Sequence, residues 1–468
     1  MKLAYNVNAK PKEIGYGKML VFALQQMLAI LAATIAVPMI VGNGMSTSAA
    51  LFGAGVGTIV YLLFTKFRSP VFLGSSFAFI GSMTVAFSGA YASAVGGYAG
   101  LLIGAVFAGL VYVVIALIVK VAGVKWVNKL MPAVVVGPTV AIIGLSLAGN
   151  AVGDALHGIG AGNVMNLTGA LSLICALVTL GTVIVCSVYA KKTLKTIPFI
   201  IGILAGYALA TVFTLIGMAT DNSAMQLISW EGFKNMSWVP NFTFVKAFKG
   251  FKDLTGAYIG TIAVAYVPVA FVVFAEHLAD HKNISTIIEK DLLEDPGLDK
   301  TLLGDGVGSI AGAVFGGCPN TTYGESIGCV AISGNASVVT ILATAILCMV
   351  AAFVAPFVTF LASIPSCVMG GVCIALYGFI AVSGLKMIQK VDLEDNRNLF
   401  VVATILICGI GGMSLTFGKI TLTEVACALI LGILVNLLVS RKKDDKTEAN
   451  AEEKTEAAEE TKETIETK

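Results

Sequence analysis

Two short stretches place carboxyl side chains inside apolar sequence, where an ionisable group is costly and usually functional. The first stretch, residues 266–285, carries Glu276 and Asp280 one helical turn apart. The second stretch, residues 315–334, carries Glu325 within FGGCPNTTYGESIGCVAISG. Carboxylates accept hydrogen bonds from N–H groups, and a carboxyl group can also carry a proton. The pattern therefore indicates a polar ligand site or a proton site in apolar surroundings.

The first stretch also contains two of the three histidines of the chain, His277 and His281. Glu276 follows a long uncharged run, so it is predicted to lie deep in the apolar region. Asp280 and His281 are followed by Lys282. A solvated helix end is therefore the alternative interpretation for Asp280 and, more strongly, for both histidines.

Composition places both stretches in a membrane. The chain has 468 residues, of which 57% are hydrophobic and 12% are charged, whereas soluble proteins carry roughly 25% charged residues. It also contains many apolar runs of about 20 residues, the length that crosses a bilayer. We predict an all-α polytopic membrane protein with fourteen segments, near 19–41, 48–65, 70–89, 94–120, 126–149, 166–190, 196–218, 254–280, 301–317, 318–334, 336–361, 366–386, 397–417 and 420–440.

Lysine and arginine concentrate in alternate predicted loops, which is typical of cytoplasmic loops. The alternation predicts an even number of spans and a multi-pass protein of the cytoplasmic membrane with both termini in the cytoplasm. Residues 441–468 are charged and almost without large apolar side chains, so they are predicted to form a disordered cytoplasmic tail. The loop cations are Lys66, Arg68, Lys120, Lys125, Lys129, Lys191, Lys192, Lys195, Lys386, Lys390 and Arg397.

Several function classes are disfavoured. The nine cysteines fall almost wholly in apolar segments and form no C-x-x-C pair, which is typical of small buried side chains rather than metal ligands or disulfides. No basic patch with interleaved aromatic residues appears, so nucleic acid is not an expected partner. No nucleophile–base set appears either, so a membrane enzyme is the weakest alternative, and no metal or cofactor is expected.

Two irregular segments match each other, SPVFLGSSFAFIGS at 69–82 and GGCPNTTYGESIGC at 316–329. Each has Pro and Gly, then small hydroxyl residues and an aromatic residue, then a regular helical run. They lie seven predicted spans apart, so the two halves have opposite orientation, and such paired breaks are typical of a transporter's substrate site. We predict a transmembrane transporter domain at 1–440, with repeats at about 17–218 and 254–440. Close helix packing by small residues is the alternative reason for the breaks.

The residues near the breaks limit the kind of ligand. Half-helices beginning near Phe77 and just after Tyr323 would direct free backbone N–H groups towards the breaks. Together with Glu276 and Glu325, these groups suit a neutral planar heterocycle that has both N–H donors and C=O acceptors. Phe77 or Tyr323 would cover the ring face. A cation or an amino acid remains an alternative on this chemistry alone.

Several motifs resemble those of a known family. They are LQQMLAILAATIAVPMI (24–40), GSSFAFI (74–80), AEH (275–277), KDLLEDPGL (290–298), PNTTYGESIGCVAISG (319–334) and MGGVCIALYG (369–378). With AEH and PNTTYGE at this separation, the chain resembles the nucleobase–cation symporter-2 (nucleobase:ascorbate transporter) family over nearly its full length. The resemblance is strongest to the bacterial uracil-transporting branch.

The resemblance implies two inverted seven-segment repeats, a core domain and a gate domain, and in many members a homodimer. It also implies uracil import driven by protons that enter with the substrate. Glu276 and Glu325 match the carboxylates that hold the pyrimidine. Main-chain groups around Phe77 and Gly324 match groups that help to bind it, and Tyr323 matches an aromatic residue near the ring.

The chain departs from the family pattern at several positions. Asp280 stands where a bacterial member has His, so proton coupling is assigned to Glu276, Asp280 and Glu325 together. Gln26 stands in the first segment where relatives have His. Glu325 itself favours a pyrimidine, since purine-transporting members tend to carry Gln there. The signature after Glu325, usually Asn-x-Gly-x-x-x-x-Thr, is represented by Ser326, Gly328 and Ser333.

The resulting prediction is a proton-coupled uracil importer. Within the same family, a purine, xanthine or thymine carrier is the alternative. From another class, an anion transporter or channel could use the same paired breaks, although buried carboxylates disfavour an anion site. A receptor that does not transport is a further alternative.

Overall fold

A computed structural model of the chain describes residues 3–88, 94–123, 126, 131–160, 163–191, 193–417 and 420–440, so the predicted tail at 441–468 lies outside the described residues. Helices dominate these ranges. Their bounds are Pro11–Ile14, Tyr16–Val41, Thr47–Phe64, Ile80–Phe87, Ala94–Ala122, Ala133–Ser146, Ala148–Ala155, Leu167–Tyr189, Thr193–Thr196, Pro198–Ala219, Thr243–Gly250, Gly256–Ile288, Leu298–Gly316, Gly324–Ser333, Val338–Ala351, Ala355–Ala362, Ser366–Ile388, Asn396–Ile410 and Glu424–Ser440. The strands are β1 (Leu73–Ser75), β2 (Asn320–Thr322), β3 (Leu415–Phe417) and β4 (Ile420–Leu422).

Eight helices in the described part of the chain are long and apolar enough to cross a membrane. A ninth span results if the bent pair Val338–Ala351 and Ala355–Ala362 is counted as one. The chain is therefore a mostly helical, multi-pass membrane protein, which confirms the predicted class. The count of fourteen segments stays a prediction, because length and composition identify only eight or nine spans.

The predicted span 336–361 is not one straight helix. Its two parts, Val338–Ala351 and Ala355–Ala362, are bent by 84° relative to each other. The second part begins next to Pro356. Proline has no backbone N–H and is tolerated in the first turn of a helix but not in its interior, so a new helix starts here.

The predicted span 397–417 is helical only as far as Ile410. Gly412 then adopts a positive φ of 68°, a conformation that glycine reaches without steric cost. The chain continues into β3, which pairs antiparallel with β4. The end of this predicted span is therefore a hairpin rather than a helix.

Both predicted breaks are present. β1 is followed by the helical stretch Phe77–Phe87, here called the first half-helix. β2 is followed by Gly324–Ser333, here called the second half-helix. Each broken segment thus consists of a short extended piece and a half-helix, as the sequence predicts.

The helix Leu298–Gly316, here called the glycine-rich helix, packs closely on the helix Thr47–Phe64. A Cβ atom added to Gly53 would overlap the carbonyl oxygen of Gly312. Glycines at such contacts let membrane helices approach with their backbones nearly touching. This packing holds the glycine-rich helix beside the broken segments.

Candidate functional site

The two broken segments cross each other as an antiparallel strand pair. Leu73 pairs with Thr322, Gly74 with Thr321 and Ser75 with Asn320. The Ser76 N–H also donates to the Pro319 carbonyl oxygen at 2.9 Å. Backbone groups inside a membrane must find partners within the protein. The crossing supplies those partners for both extended pieces at once.

The two half-helices start at this crossing. The second half-helix begins directly after Tyr323, whose backbone is extended, as predicted from the sequence. The first half-helix opens with the tight turn Phe77–Phe79 before it becomes α-helical at Ile80. The first N–H groups of a helix have no partner within that helix and carry the positive end of its dipole. Both sets of N–H groups therefore lie close to the crossing.

Open space borders one side of the second half-helix. Gly324 is exposed and Glu325 is half-buried. A Cβ atom added to Gly324 or to Gly328, one turn further on, would have no atom within 4 Å. The face that carries these two glycines is therefore free to receive a small molecule.

The helix Gly256–Ile288, here called the carboxylate helix, extends eight residues beyond the predicted end at 280. Glu276 and Asp280 thus lie within the helix, and both side chains are half-buried. Asp280 accepts a hydrogen bond from Thr322 Oγ1 at 2.6 Å. Asp280 is therefore connected directly to β2.

The interpretation of His277 and His281 as residues of a solvated helix end is wrong. Both side chains have an exposed fraction of 0%. His277 Nδ1 lies 2.6 Å from Asp305 Oδ2, and His281 Nε2 lies 2.7 Å from the Tyr61 hydroxyl. Their partners come from other helices, which the local sequence does not reveal.

The predicted carboxyl groups come together. Glu276 lies within electrostatic range of Asp280, Glu325 and Asp305, although Glu276 and Glu325 are 49 positions apart in the sequence. Asp280 is likewise within electrostatic range of Glu325. The carboxyl groups therefore lie near one another, and the bond from Thr322 to Asp280 places them beside the strand crossing. Their roles in binding and proton coupling stay predictions.

The two predicted aromatic residues differ in their surroundings. Tyr323 is buried, and its hydroxyl donates to the Ser75 carbonyl oxygen at 2.8 Å. Its ring also lies so close to Gly74 that a Cβ atom there would overlap it. Phe77 packs edge-to-face against Tyr377, with ring centroids 5.6 Å apart. Tyr323 thus joins the two broken segments, whereas Phe77 faces a helix outside them.

Gln26, whose role the sequence left open, contacts the second half-helix. Its Nε2 atom donates to the Ser326 carbonyl oxygen at 3.1 Å and to Ser326 Oγ at 2.5 Å. Gln26 is itself buried. Since Ser326 follows Glu325, Gln26 fixes the turn that carries this carboxylate.

Asp305 is the ionisable residue near the site that the sequence interpretation missed. It lies in the glycine-rich helix and has an exposed fraction of 1%. Its signal in the sequence is a lone carboxylate in the apolar run TLLGDGVGSIAG (301–312). Such a residue in a membrane segment is a functional candidate by default.

Known proteins are similar to this chain in sequence or in fold. The model of a family described as "Permease family" matches residues 17–417. The uracil permease of Bacillus caldolyticus is 40% identical over 429 residues, which cover 90% of this chain and 92% of the relative. The uracil permease of Bacillus subtilis (strain 168) is 36% identical over 436 residues, which cover 92% of this chain and 94% of the relative.

Among solved structures, the transmembrane domain of the cyanobacterial bicarbonate transporter BicA is similar in fold, with a TM-score of 0.61. The similarity covers 92% of this chain and 99% of that domain, but only 15% of the residues are identical. It therefore supports the architecture with paired breaks and not a substrate. The family match and the two relatives each cover most of the sequence, so the chain belongs to this permease family.

Proposed function

We propose that the protein imports uracil together with protons across the cytoplasmic membrane. The observation that carries this proposal is the convergence of Glu276 and Glu325 at the crossing of the two broken segments. The two relatives that are uracil permeases support the choice of substrate.

The proposed site complements both edges of a pyrimidine ring. Uracil has two ring N–H donors, which Glu276 and Glu325 accept as carboxylates. Its two carbonyl oxygens receive backbone N–H groups from the half-helices near Phe77 and Gly324. Phe77 or Tyr323 packs on the ring, and the open face of the second half-helix gives the substrate room.

Proton coupling is assigned to Glu276, Asp280 and Glu325. Carboxyl groups that are close together in a low-dielectric setting repel one another strongly when all are ionised, so they titrate as a group. A proton bound within this group can travel with the substrate. Thr322 of β2 donates a hydrogen bond to Asp280. A change in the charge of Asp280 would therefore alter a contact at the strand crossing.

Transport itself is proposed to follow the inverted-repeat scheme, with repeats at about 17–218 and 254–440. A gate domain would move against a core domain that carries the site, and thereby expose the site to each side in turn. We place both termini in the cytoplasm because the loops with lysine and arginine alternate. The homodimer follows from the resemblance alone, and cross-linking in native membranes tests it.

The rival substrates within the family are purines, xanthine and thymine. Competition by each base against labelled uracil separates them. The fold is shared with a bicarbonate transporter, but several carboxyl groups around one site disfavour an anion. Transport that follows an anion gradient without any nucleobase would support that second candidate.

Uptake of labelled uracil into vesicles that contain the purified protein tests the proposal. With an inward proton gradient, uracil should accumulate above its external concentration, and an uncoupler should abolish the accumulation. Uptake that ignores the gradient would remove proton coupling from the proposal. Binding of another base without any transport of uracil would overturn the substrate.

A further inference from the structure

A buried pair of ionisable side chains lies beside the carboxyl groups of the proposed site. Asp305 Oδ2 lies 2.6 Å from His277 Nδ1, and the two side chains are 1% and 0% exposed. On the opposite side of the imidazole ring, His277 Nε2 lies 3.1 Å from Thr301 Oγ1. The pair is thus closed off from solvent but held by hydrogen bonds at both ring nitrogens.

Thr301 allows His277 to exist in two proton states. When the ring is neutral, Nδ1–H donates to Asp305 and Nε2 accepts the Thr301 hydroxyl proton. When the ring gains a proton at Nε2, that N–H donates to Thr301 Oγ1. The hydroxyl then donates to the Leu298 carbonyl oxygen, 3.1 Å away. Both ring nitrogens keep a partner in both states, so a proton can be held without leaving a buried N–H unpaired.

The titratable groups that face the pair come from three helices. They are Tyr61, Tyr112, Glu276, Asp280 and His281. None of these residues is a lysine or arginine. The groups in this cluster that can become positively charged are therefore His277 and His281.

His281 is arranged to stay neutral. Its ring stacks on His277 with centroids 3.9 Å apart, and two stacked cations would repel each other. Its Nδ1 lies 2.8 Å from the main-chain oxygen of His277, which only accepts, so Nδ1 carries a proton. Its Nε2 lies 2.7 Å from the Tyr61 hydroxyl, which also lies 2.6 Å from Ser69 Oγ. The cluster therefore has room for one extra proton, at His277.

Tyr112 lies near both this pair and the carboxyl groups of the proposed substrate site, and its ring centroid is 6.1 Å from that of His277. Its hydroxyl is buried and has no hydrogen-bond partner among the described residues. It lies within electrostatic range of Asp305, Glu276 and Asp280. An unpaired buried hydroxyl is costly, so this one would gain from a bond to a carboxyl group that turned towards it.

We propose that the His277–Asp305 pair extends the proton-coupling group of Glu276, Asp280 and Glu325 and holds its proton while the substrate is bound, and that Tyr112 links the pair to these carboxyl groups. This inference rests on the proposed function, uracil import with protons. Substrate N–H donors favour ionised Glu276 and Glu325, and their negative charge favours a proton on His277. By linkage, the proton-loaded pair favours substrate binding to the same extent. The proton comes from hydronium on one side, where an O–H bond breaks as the Nε2–H bond of His277 forms, and it returns to water on the other side by the reverse step.

Two pairs of variants of the full chain test the proposal. Thr301→Val removes the partner of the second proton position, and Thr301→Ser restores it. Asp305→Asn keeps the shape of the side chain but removes its charge, and Asp299→Asn makes the same change in the first turn of the same helix. The readouts are uracil binding, proton uptake on addition of uracil in weakly buffered detergent, and exchange and accumulation of uracil in vesicles.

The wild type, Thr301→Ser and Asp299→Asn should take up protons on binding uracil and should accumulate it against a gradient. Thr301→Val and Asp305→Asn should still bind uracil and exchange it across the membrane. Their proton uptake should fall to the buffer baseline, and their accumulation should fall to equal concentrations inside and outside.

Proton uptake and accumulation at wild-type levels in Thr301→Val would overturn the inference and leave the proposed function intact. Loss of uracil binding in Thr301→Val together with loss of folding would also overturn it, because the hydroxyl would then serve structure. A wild type that neither binds nor carries uracil would instead overturn the proposed function. If Asp305→Asn does not fold, the two Thr301 variants decide the question alone.

Discussion

The two broken segments share one backbone plan but carry different side chains. The first half-helix opens with Phe77, Ala78 and Phe79, none of which is ionisable. The second opens with Gly324 and Glu325, whose surroundings are open. The repeated backbone geometry thus supplies N–H groups from two sides, whereas the charge comes from one side and from the carboxylate helix. Duplicated architecture does not imply duplicated chemistry.

The two half-helices are also held in place by different kinds of contact. Ser82 Oγ in the first half-helix donates to the Ala265 carbonyl oxygen at 2.6 Å, so this half-helix is held by its own side chain. The second half-helix is held from outside by Gln26, which reaches its first turn. The anchor of the second lies next to its charged residue and therefore bears directly on the site.

Glu325→Ala should have the largest effect, because it removes the charge that distinguishes the second half-helix. A hydrogen bond to a charged group contributes about 1.5–3 kcal/mol, so uracil affinity should fall roughly 10- to 150-fold. Binding of labelled uracil to the purified protein measures the change. Ala78→Gly, at the corresponding position of the first half-helix, removes no polar group and is the control. Wild-type affinity in Glu325→Ala would mean that the two half-helices are chemically equivalent.

Alanine substitutions at two glycines should separate stability from binding. In Gly74→Ala the new methyl group would overlap the Tyr323 ring, and overpacking of this kind costs about 1–3 kcal/mol. Gly324→Ala meets open space, so the fold should be retained while the methyl group occupies room beside Glu325. Thermal unfolding should show a lower midpoint for Gly74→Ala alone, and uracil binding should weaken in Gly324→Ala. Equal unfolding midpoints for the two variants would contradict this contrast.

The smallest effect is expected at the entrance to the first broken segment, where Arg68 lies. Asp295 accepts hydrogen bonds from Lys290 at 2.7 Å and Arg68 at 2.8 Å, and these lower its pKa from 3.8 to about 2. A lowered pKa means that the carboxylate stabilises the fold above pH 3.8 and loses this effect as the pH falls towards 2. Asp295→Asn should therefore slightly lower the unfolding midpoint at neutral pH.

The effect of Asp295→Asn should shrink in high salt, since exposed ion pairs are screened. It should also fade as the pH falls through 2, because the wild-type carboxyl group becomes protonated there. Unfolding midpoints of both proteins, measured across pH and salt, check this. The entrance to the second broken segment, Gly317–Pro319, carries no charged side chain. A difference between the two proteins that is independent of salt would point to a packing role for Asp295.

The sequence predicted the features that depend on local chemistry. Pro and Gly at the breaks, and the start of the second half-helix after Tyr323, follow from backbone preferences that act within a few residues. Glu276 and Glu325 stood out because each is an acid in an apolar run. The structure places them within electrostatic range of each other.

The features that were missed depend on distant partners. The bonds of His281 to Tyr61 and of Tyr323 to Ser75 join residues 220 and 248 positions apart. Lys282 made the carboxylate helix look as if it ended early, but the helix continues to Ile288. Asp305 was overlooked because its glycine neighbours provide no periodic pattern, and its partner His277 lies in another helix.

The pairing of β1 with β2 also sets an order of events during synthesis. The two strands are separated by about 250 residues, and a ribosome adds about 5–20 residues per second, so β1 is made roughly 12–50 s before its partner. Thr58 can bond to the main chain of Leu73 from the start, but the groups of β1 that pair with β2 lack the hydrogen bonds that a lipid environment demands until then. We therefore expect these groups of β1 to stay in contact with water or with the insertion machinery until β2 has been made. The first broken segment would then complete its packing only after β2 has been made.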